Sequence, residues 1–482
     1  MLRRFLISYS LNFMILKAVH FFKKHSYLSA LLLGALYTLG FAPFSVWPVS
    51  MLALLGVFMV LKHQRKTLNG FMVGLCFGFA HYITSIHWLL GSFIVSIDPY
   101  IMALLLGCLS VFALSLFMAL FIAIPFALFV KFQRKCLSCF LPVFFAIMWV
   151  LFEYLRSILE PTFAWNLVAH VWAFEDYLLQ SVPYLGVFGL SFVFVLMAAG
   201  LNSRKGCYFV SALLALMYGY GWYVLKDKPL PSVAQNDTSK LHVQMVPGFV
   251  LQKEKWQADK RWDTLSDYIR KSNITPNADM TIWPETALTY FIEQDDVLRE
   301  YMRNSISSPY FVFGAPAKVS KGLYYNSMFV MDGDGMFSYR YDKRFLVPFG
   351  EYFPLREYFP GFFEKFLQGQ SSYSFGYRES ATFNVKGVRF APLICGEIVL
   401  PFVEDIIHTD ADYVLNITND AWFRGFIGPS QHLAIAKFQS AVIGKPVIRV
   451  AHGGASAVFD RYGRVVFERP ERGGDSVGIY LW

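Results

Sequence analysis

The sequence predicts a polytopic α-helical membrane domain followed by an α/β domain, and three observations predict it. The 482-residue chain is 55% hydrophobic, 18% aromatic and only 16% charged, whereas soluble domains run near a quarter charged. The formal net charge of +9 is unevenly placed, for residues 1–236 hold 16 Lys and Arg against 6 Asp and Glu, and residues 237–482 hold 27 against 28. Strand-like runs alternate with helical ones only in the second part. All the positive excess therefore lies in the apolar half. The balanced polar half has no electrostatic footprint for DNA or RNA, so no nucleic-acid partner is expected. The expected organisation is a cytoplasmic or interfacial segment at 1–26, a transmembrane helical domain at 27–225, a linker at 226–240 and a globular domain at 241–482.

A helix needs about 20 apolar residues to cross a bilayer. Seven runs approach this: Tyr27–Ala42, Val46–Leu61, Gly70–Leu90, Ile101–Val130, Cys136–Phe152, Pro183–Leu201 and Gly206–Leu225. The fourth is long enough to tilt, or to break at Pro125. Orientation follows from Lys and Arg in the short connections. One set of connections carries 13 of them, from Arg3 to Lys205, and the alternate set carries only Arg156. This bias places the N-terminus in the cytoplasm and residue 226 onward outside. Phe5–Phe22 is apolar but interrupted by Lys17 and His20, which suits an interfacial helix better than a span. Lys23, Lys24 and His25 follow it in place of a small-residue cleavage site. Glu153, Arg156 and Glu160 close the fifth run. A solvated helix end is the simpler expectation for them, and a polar lining for a lipid headgroup is the alternative.

Of six cysteines, five lie in or beside predicted spans. Cys136 and Cys139 have C-x-x-C spacing but no second pair or nearby His, so zinc or redox use is not expected there. Cys395 is the lone cysteine of the globular half, either an apolar filler or a reactive thiol. Strands are predicted at Leu241–Val246, Met280–Trp283, Tyr310–Gly314, Ser327–Met331, Val388–Ile394, Tyr413–Ile417 and Val447–Val450, with helices at Trp256–Ser272 and Pro429–Gly444 and a hairpin at Phe459–Val466. Such interleaving indicates a layered α/β domain. Glu285 ends the run MTIWPE, Cys395 ends VRFAPLIC, and Lys343 lies in the aromatic loop RYDKRFLVPFGEYFP. A thiol, a carboxylate that can take its proton and an ammonium that can face an oxyanion form a set suited to acyl transfer. The ten His are scattered without an HExxH, and there is no phosphate-cradling Gly-rich loop, so no metal and no cofactor are expected.

At these residues the globular half resembles the nitrilase superfamily, whose members carry a Glu–Lys–Cys triad on an αββα sandwich. The fused arrangement is similar to the apolipoprotein N-acyltransferase family. The matching segments are LGFAPFSVWP and WVLFEYLR in the first half, and WPETA, KRFLVPFGEYFP, LICGE, ITNDAWF, IGPSQH and GKPVIRVAHGGASAVFDRYGRV in the second. The resemblance implies that Cys395 is the nucleophile, Glu285 the general base and Lys343 the oxyanion stabiliser. It implies that Glu351 orients the lysine and that Glu397 supports the same network. It also places Trp256 and Asn326 near the pocket. The chain departs from the pattern at Gly396, where an aromatic residue is usual, and at Arg424, where a Gly is expected. It also ends at Trp482 without the further span of most members, which leaves C-terminal anchoring open.

The resemblance implies a ping-pong reaction. A phospholipid would give its acyl chain to Cys395, and the N-terminal amine of a diacylated apolipoprotein would take it. The enzyme would work as a monomer in the bacterial inner membrane, with the catalytic domain on the periplasmic side. The segment EYFPGFFEKFL, with Phe359, Phe362 and Phe363, suits a membrane-touching arm that gates access, or else a core helix. Two rival readings stay open. A membrane-tethered amidase would share the triad, but it would need only one anchor. A transporter would need intramembrane charges, which the spans largely lack.

Overall fold

The computed structural model describes residues 24–482 apart from 160–161, 233–238, 276, 320–322, 353–372, 378–381, 404–409 and 471–474. Phe5–Phe22, Glu160, Phe359, Phe362 and Phe363 lie outside the described residues.

Each of the seven apolar runs forms a helix. They are α1 (Ser26–Thr38), α2 (Trp47–Lys62), α3 (Thr67–Ser85), α5 (Tyr100–Phe132), α6 (Leu141–Ile158), α7 (Val182–Gly200) and α8 (Arg204–Leu225), with a short α4 (Leu90–Ser96) after α3. Among the described residues, four helical stretches are long and apolar enough to cross a membrane: Tyr100–Lys135, Ser138–Ile158, Val182–Gly200 and Arg204–Leu225. Thr67–Ser85 and His87–Ser96 make a fifth if the pair, bent by 46°, is one span. α1 and α2 are apolar but shorter. α5 runs unbroken through Pro125. Small residues bring α3 against α5. A Cβ added at Gly74 would lie 2.6 Å from the Ala123 Cα, and one at Gly78 would lie 2.9 Å from the Ala119 Cα. Gly70 continues the same four-residue spacing toward Val130. Such stripes let helix backbones approach closely where burial from water supplies no driving force.

The helix end at Glu153 and Arg156 is not solvated, which corrects the simpler expectation. Both side chains are buried. Glu153 accepts the Val168 N–H at 2.7 Å, and Arg156 donates to the carbonyls of Phe163 and Trp165, each at 2.9 Å. Desolvated charges of this kind persist only with such partners, and here they staple α6 to the segment that carries Trp165.

The second half is a sandwich of two six-stranded sheets. In chain order the strands are β1 (His242–Met245), β2 (Met280–Ile282), β3 (Tyr310–Val319), β4 (Leu323–Met331), β5 (Phe337–Asp342), β6 (Phe383–Val385), β7 (Val388–Ile394), β8 (Tyr413–Asn419), β9 (Val447–His452), β10 (Ser456–Phe459), β11 (Val465–Arg469) and β12 (Val477–Tyr480). One sheet has the order β12-β1-β2-β3-β4-β5 and the other β11-β10-β9-β8-β7-β6. The central pairs β1–β2, β2–β3, β7–β8 and β8–β9 are parallel. Strand periodicity sorts the side chains into layers. Val243, Ile282, Val312 and Val330 meet Phe390, Ile394, Leu415 and Ile448 between the sheets. On the outer face of the first sheet, Phe311 and Phe313 pack against Leu265 and Tyr268 of α9 (Ala258–Ser272) and Met302 of α10 (Asp296–Ser305). On the second, Leu393 and Val414 pack against Leu433 and Ile435 of α11 (Gly428–Ile443). The layers are therefore α, β, β and α.

Three strands and a helix beyond the expected set are present: β5, β6, β12 and α10. β12 has only four residues and acquires its role by pairing antiparallel with β1, more than 230 positions earlier in the chain. Pro392 lies inside β7, where a prolyl residue would break a central ladder. β6 pairs only with Val388–Phe390, so Pro392 lies beyond its edge.

α11 belongs to both halves. Its Ala434, Phe438 and Ala441 lie in the core of the membrane half, while Leu433, Ile435, Ala436 and Ile443 lie in that of the sandwich. Around it, Lys437 Nζ reaches Asp176 Oδ1 at 2.8 Å, and Gln180 Nε2 donates to the Tyr462 carbonyl at 2.9 Å.

Candidate active site

The expected site residues leave the sheets at the ends of three strands. Glu285 follows β2, Lys343 follows β5 and Cys395 follows β7. Glu285 and Cys395 thus stand at the carboxyl ends of parallel strands, one in each sheet, where open α/β sheets place ligands. Cys395 has a φ of +52°, and a tight turn, Cys395–Val399, begins there. That left-handed backbone is uncommon for a residue with a Cβ and persists only where the surroundings hold it.

Glu397 supplies part of that hold. Its Oε2 accepts the Ile394 N–H at 2.7 Å. Its Oε1 accepts the Arg344 N–H at 2.7 Å, the Phe345 N–H at 3.2 Å and the Tyr341 hydroxyl at 2.9 Å. One carboxylate therefore ties the turn at Cys395 to the loop that begins with Lys343. Burial pushes the Glu397 carboxyl up, and these backbone donors together with Lys343 oppose the rise.

Lys343, Glu285, Glu351 and Asn326 form one buried polar group. Lys343 Nζ lies 2.8 Å from Glu351 Oε2 and 3.4 Å from Glu285 Oε1. Asn326 Nδ2 donates to Glu285 Oε1 at 2.7 Å and to Glu351 Oε1 at 2.9 Å. The second Glu351 oxygen also accepts the Val347 N–H at 2.8 Å. Burial alone would strip the lysine of its proton, but Glu351 and Glu285 hold Lys343 well above an ordinary lysine. It stays an ammonium. Burial, and then the Glu285 charge, push the Cys395 thiol up to about 12, with Lys343 pulling the other way. At neutral pH the sulfur therefore rests as a thiol, and attack needs a base to take its proton.

Behind Cys395 lies a second buried network. Asn416 Nδ2 donates to the Cys395 carbonyl at 3.3 Å. Arg449 donates to Asn416 Oδ1 at 3.1 Å and to Asp420 Oδ2. His432 Nδ1 meets Asp420 Oδ1 at 2.9 Å. Against its burial, Arg449 and His432 keep Asp420 below the usual carboxylate range. Burial and Arg449 push the His432 imidazole down. The motifs ITNDAWF, IGPSQH and GKPVIRVAHGG carried Asp420, His432 and Arg449 in the sequence, with Asn416 just before the first, but no local pattern assigned them a role.

Trp256 is 46% exposed and follows the helical turn Gln252–Lys255, outside the hydrogen-bonded group around Lys343. At Gly396 an added Cβ would meet nothing nearer than Val347 Cγ2 at 3.8 Å, so this side of Cys395 is open. Arg424 has a φ of −56° and Gly425 one of +82°. The left-handed position after NDAWF therefore falls on Gly425, and Arg424 fits without strain. Among the described residues no group of three His, Cys, Asp or Glu is placed to hold a metal ion.

The sandwich, with its thiol, ammonium and carboxylates at the strand ends, defines the class. Residues 242–479 match the carbon-nitrogen hydrolase family. Residues 33–200 match the family described as the apolipoprotein N-acyltransferase N-terminal domain. The apolipoprotein N-acyltransferase of Pseudomonas syringae pv. tomato is 30% identical over 465 residues, 92% of this chain and 88% of that protein. That of Rickettsia bellii is 29% identical over 458 residues, with 91% and 88% covered. A solved carbon-nitrogen hydrolase superfamily protein of Xanthomonas campestris covers 50% of this chain and 91% of its own at 19% identity, with a TM-score of 0.35. The chain belongs to the apolipoprotein N-acyltransferase family.

Proposed function

We propose that the protein moves a fatty acyl chain from a membrane phospholipid, through a thioester on Cys395, to the N-terminal amine of the diacylglyceryl-cysteine of lipoproteins. The observation that carries this is the meeting of Cys395, Glu285 and Lys343, from three strand ends, in one buried site of a domain that shares α11 with a membrane half.

In the first half-reaction Glu285 takes the Cys395 proton as sulfur bonds to the ester carbonyl carbon. Lys343 faces the negative charge that forms on the carbonyl oxygen. The carbon–oxygen bond then breaks, and Glu285 returns the proton to the leaving lyso-phospholipid oxygen. In the second, the amine nitrogen bonds to the thioester carbon, Glu285 takes a proton from nitrogen, and the carbon–sulfur bond breaks as Glu285 returns that proton to sulfur, restoring the thiol and releasing the amide. Glu351 and Asn326 orient Lys343 and Glu285, and Glu397 holds the turn at Cys395. The shared helix supports a site for this chemistry at the membrane surface, where both lipids reside. A detached enzyme would have to extract each chain at about 0.8 kcal/mol per exposed CH₂. The charge bias of the loops supports a periplasmic catalytic half and a cytoplasmic N-terminus. The domain boundaries that fit this reading are 27–225 for the membrane domain and 241–482 for the catalytic one.

The test incubates purified protein with a labelled phospholipid. A hydroxylamine-sensitive acyl adduct is expected on the wild type and not on Cys395→Ala. A diacylated lipopeptide then discharges it as an amide. Label that survives in Cys395→Ala overturns the mechanism, and discharge only as free fatty acid overturns the transferase reading.

A further inference from the structure

A second buried lysine stands beside Glu285. Lys255 is fully buried, at 0% exposure. Its Nζ donates to the Thr286 hydroxyl at 3.1 Å and to the Glu285 carbonyl at 3.4 Å. The turn it grips is unusual. Thr286 has a φ of +46°, a backbone that a β-branched residue adopts only under constraint. From the other side β3 presses on the same turn. A Cβ added at Gly314 would lie 2.5 Å from the Thr286 N and 2.7 Å from the Glu285 Cα. The segment that bears Lys255 is itself anchored near the nucleophile. Gln252 Oε1 accepts Asn419 Nδ2 at 2.9 Å, and the Val250 carbonyl meets His452 Nε2 at 2.8 Å.

We infer that Lys255 is a positioning residue for the general base: through the Thr286 hydroxyl and the Glu285 carbonyl it fixes the Glu285–Thr286 turn. This rests on the reading of Glu285 as the base. The charge of Glu285 is felt by Lys343, Lys255, Cys395 and Tyr373, and Glu351 joins it through Asn326. Lys255 in turn faces Glu285 and His452. Lys343 and Glu351 are already paired at 2.8 Å. Burial brings Lys255 down to about 7.

The experiment follows Cys395 thioester formation from a labelled phospholipid in the full-length protein. Lys255→Met is expected to lower the rate about tenfold at saturating phospholipid with the KM unchanged, and Lys255→Arg to recover part of it. Thr286→Val removes the hydroxyl and is expected to cost about the same, and the double variant no more than Lys255→Met alone, because both act through one contact. Thr286→Val also tests the proposal should Lys255→Met fail to fold. Losses that add in full in the double variant, or an undiminished rate in Thr286→Val, overturn the proposal. Wild-type protein that forms no thioester at any pH overturns the reading of Cys395 and Glu285 instead.

Discussion

Trp88 of the membrane half donates its indole N–H to Gln431 Oε1 of the sandwich at 3.0 Å. Trp165, held by Arg156, donates to the same oxygen at 2.7 Å. Gln431 precedes His432, which binds Asp420, which binds Arg449, which binds Asn416, which binds the Cys395 carbonyl. Two sets of hydrogen bonds, joined by the peptide link between Gln431 and His432, thus run from two membrane segments to Cys395. Gln431 and His432 of α11 join this seam between the halves to the polar network behind Cys395.

The seam gives the first prediction. Trp88→Phe keeps most of the apolar volume and removes one donor, so it should cost about 1 kcal/mol of stability in detergent. A double-mutant cycle with Gln431→Leu should show a coupling of about 0.5–1 kcal/mol in unfolding. Strict additivity would mean that the indole bond contributes nothing to joining the halves.

The Asn326 amide holds two carboxylates at once, and this gives the second. Asn326→Ala frees Glu285 and Glu351 from their common donor and should slow thioester formation about 100-fold. Asn326→Asp sets a third carboxyl against the other two and should be worse at pH 8 than at pH 5, because protonation relieves the repulsion. The ratio of rates at the two pH values is the readout, and a ratio equal to that of Asn326→Ala would deny that Asn326 acts through the carboxylates.

These two networks also show what the sequence revealed and what it did not. Glu285 and Cys395 were legible as candidates because each ends an apolar run, and Lys343 because it lies in an aromatic loop. Glu351 and Glu397 were legible through their motifs. Lys255, Asn416, Asp420, His432 and Arg449 were not, because buried polar partners are chosen across strands and helices that lie far apart in the chain. Arg449 sits inside the run VIRVA, where only the folded sheet places it opposite Asn416. The same limit explains β12, a short run until β1 is there to pair with it. Arg156 and Glu153 misled for a related reason. A helix end with charges is usually wet, and the segment that buries this one comes later in the chain.

The high thiol pKa gives the third prediction. Glu285 raises the Cys395 value and thereby suppresses the thiolate at rest. Glu285→Gln removes that charge, so the thiol pKa falls and the thiolate fraction at a fixed pH rises. Alkylation by iodoacetamide at pH 9 should speed up several-fold while acyl transfer falls by about 10² or more, the usual contribution of a general base. A parallel fall in both rates would assign Glu285 a role in folding instead of in proton transfer.

The aromatic segment 357–367 gives the fourth. Replacing Phe359, Phe362 and Phe363 with Ser should weaken turnover on bilayer substrates, since each buried aromatic contributes about 1.5–3 kcal/mol to an apolar contact. Thioester formation from a soluble ester should be spared. Equal loss on both substrates would make the segment part of the protein core.

Sidedness gives the last. Thirteen Lys and Arg lie in one set of connections and one in the other, and each such charge resists translocation. Cys108, Cys139 and Cys207 are exposed, so the assay starts from a chain with Ser at these positions. Val297 is 79% exposed on α10 in the catalytic half, and Arg65 is exposed between α2 and α3. A membrane-impermeant maleimide should label Val297→Cys in intact spheroplasts and Arg65→Cys only after lysis. Labelling of Arg65→Cys in intact cells, with Val297→Cys protected, would invert the topology and place the thioester chemistry on the wrong leaflet for lipoproteins already carried across the membrane.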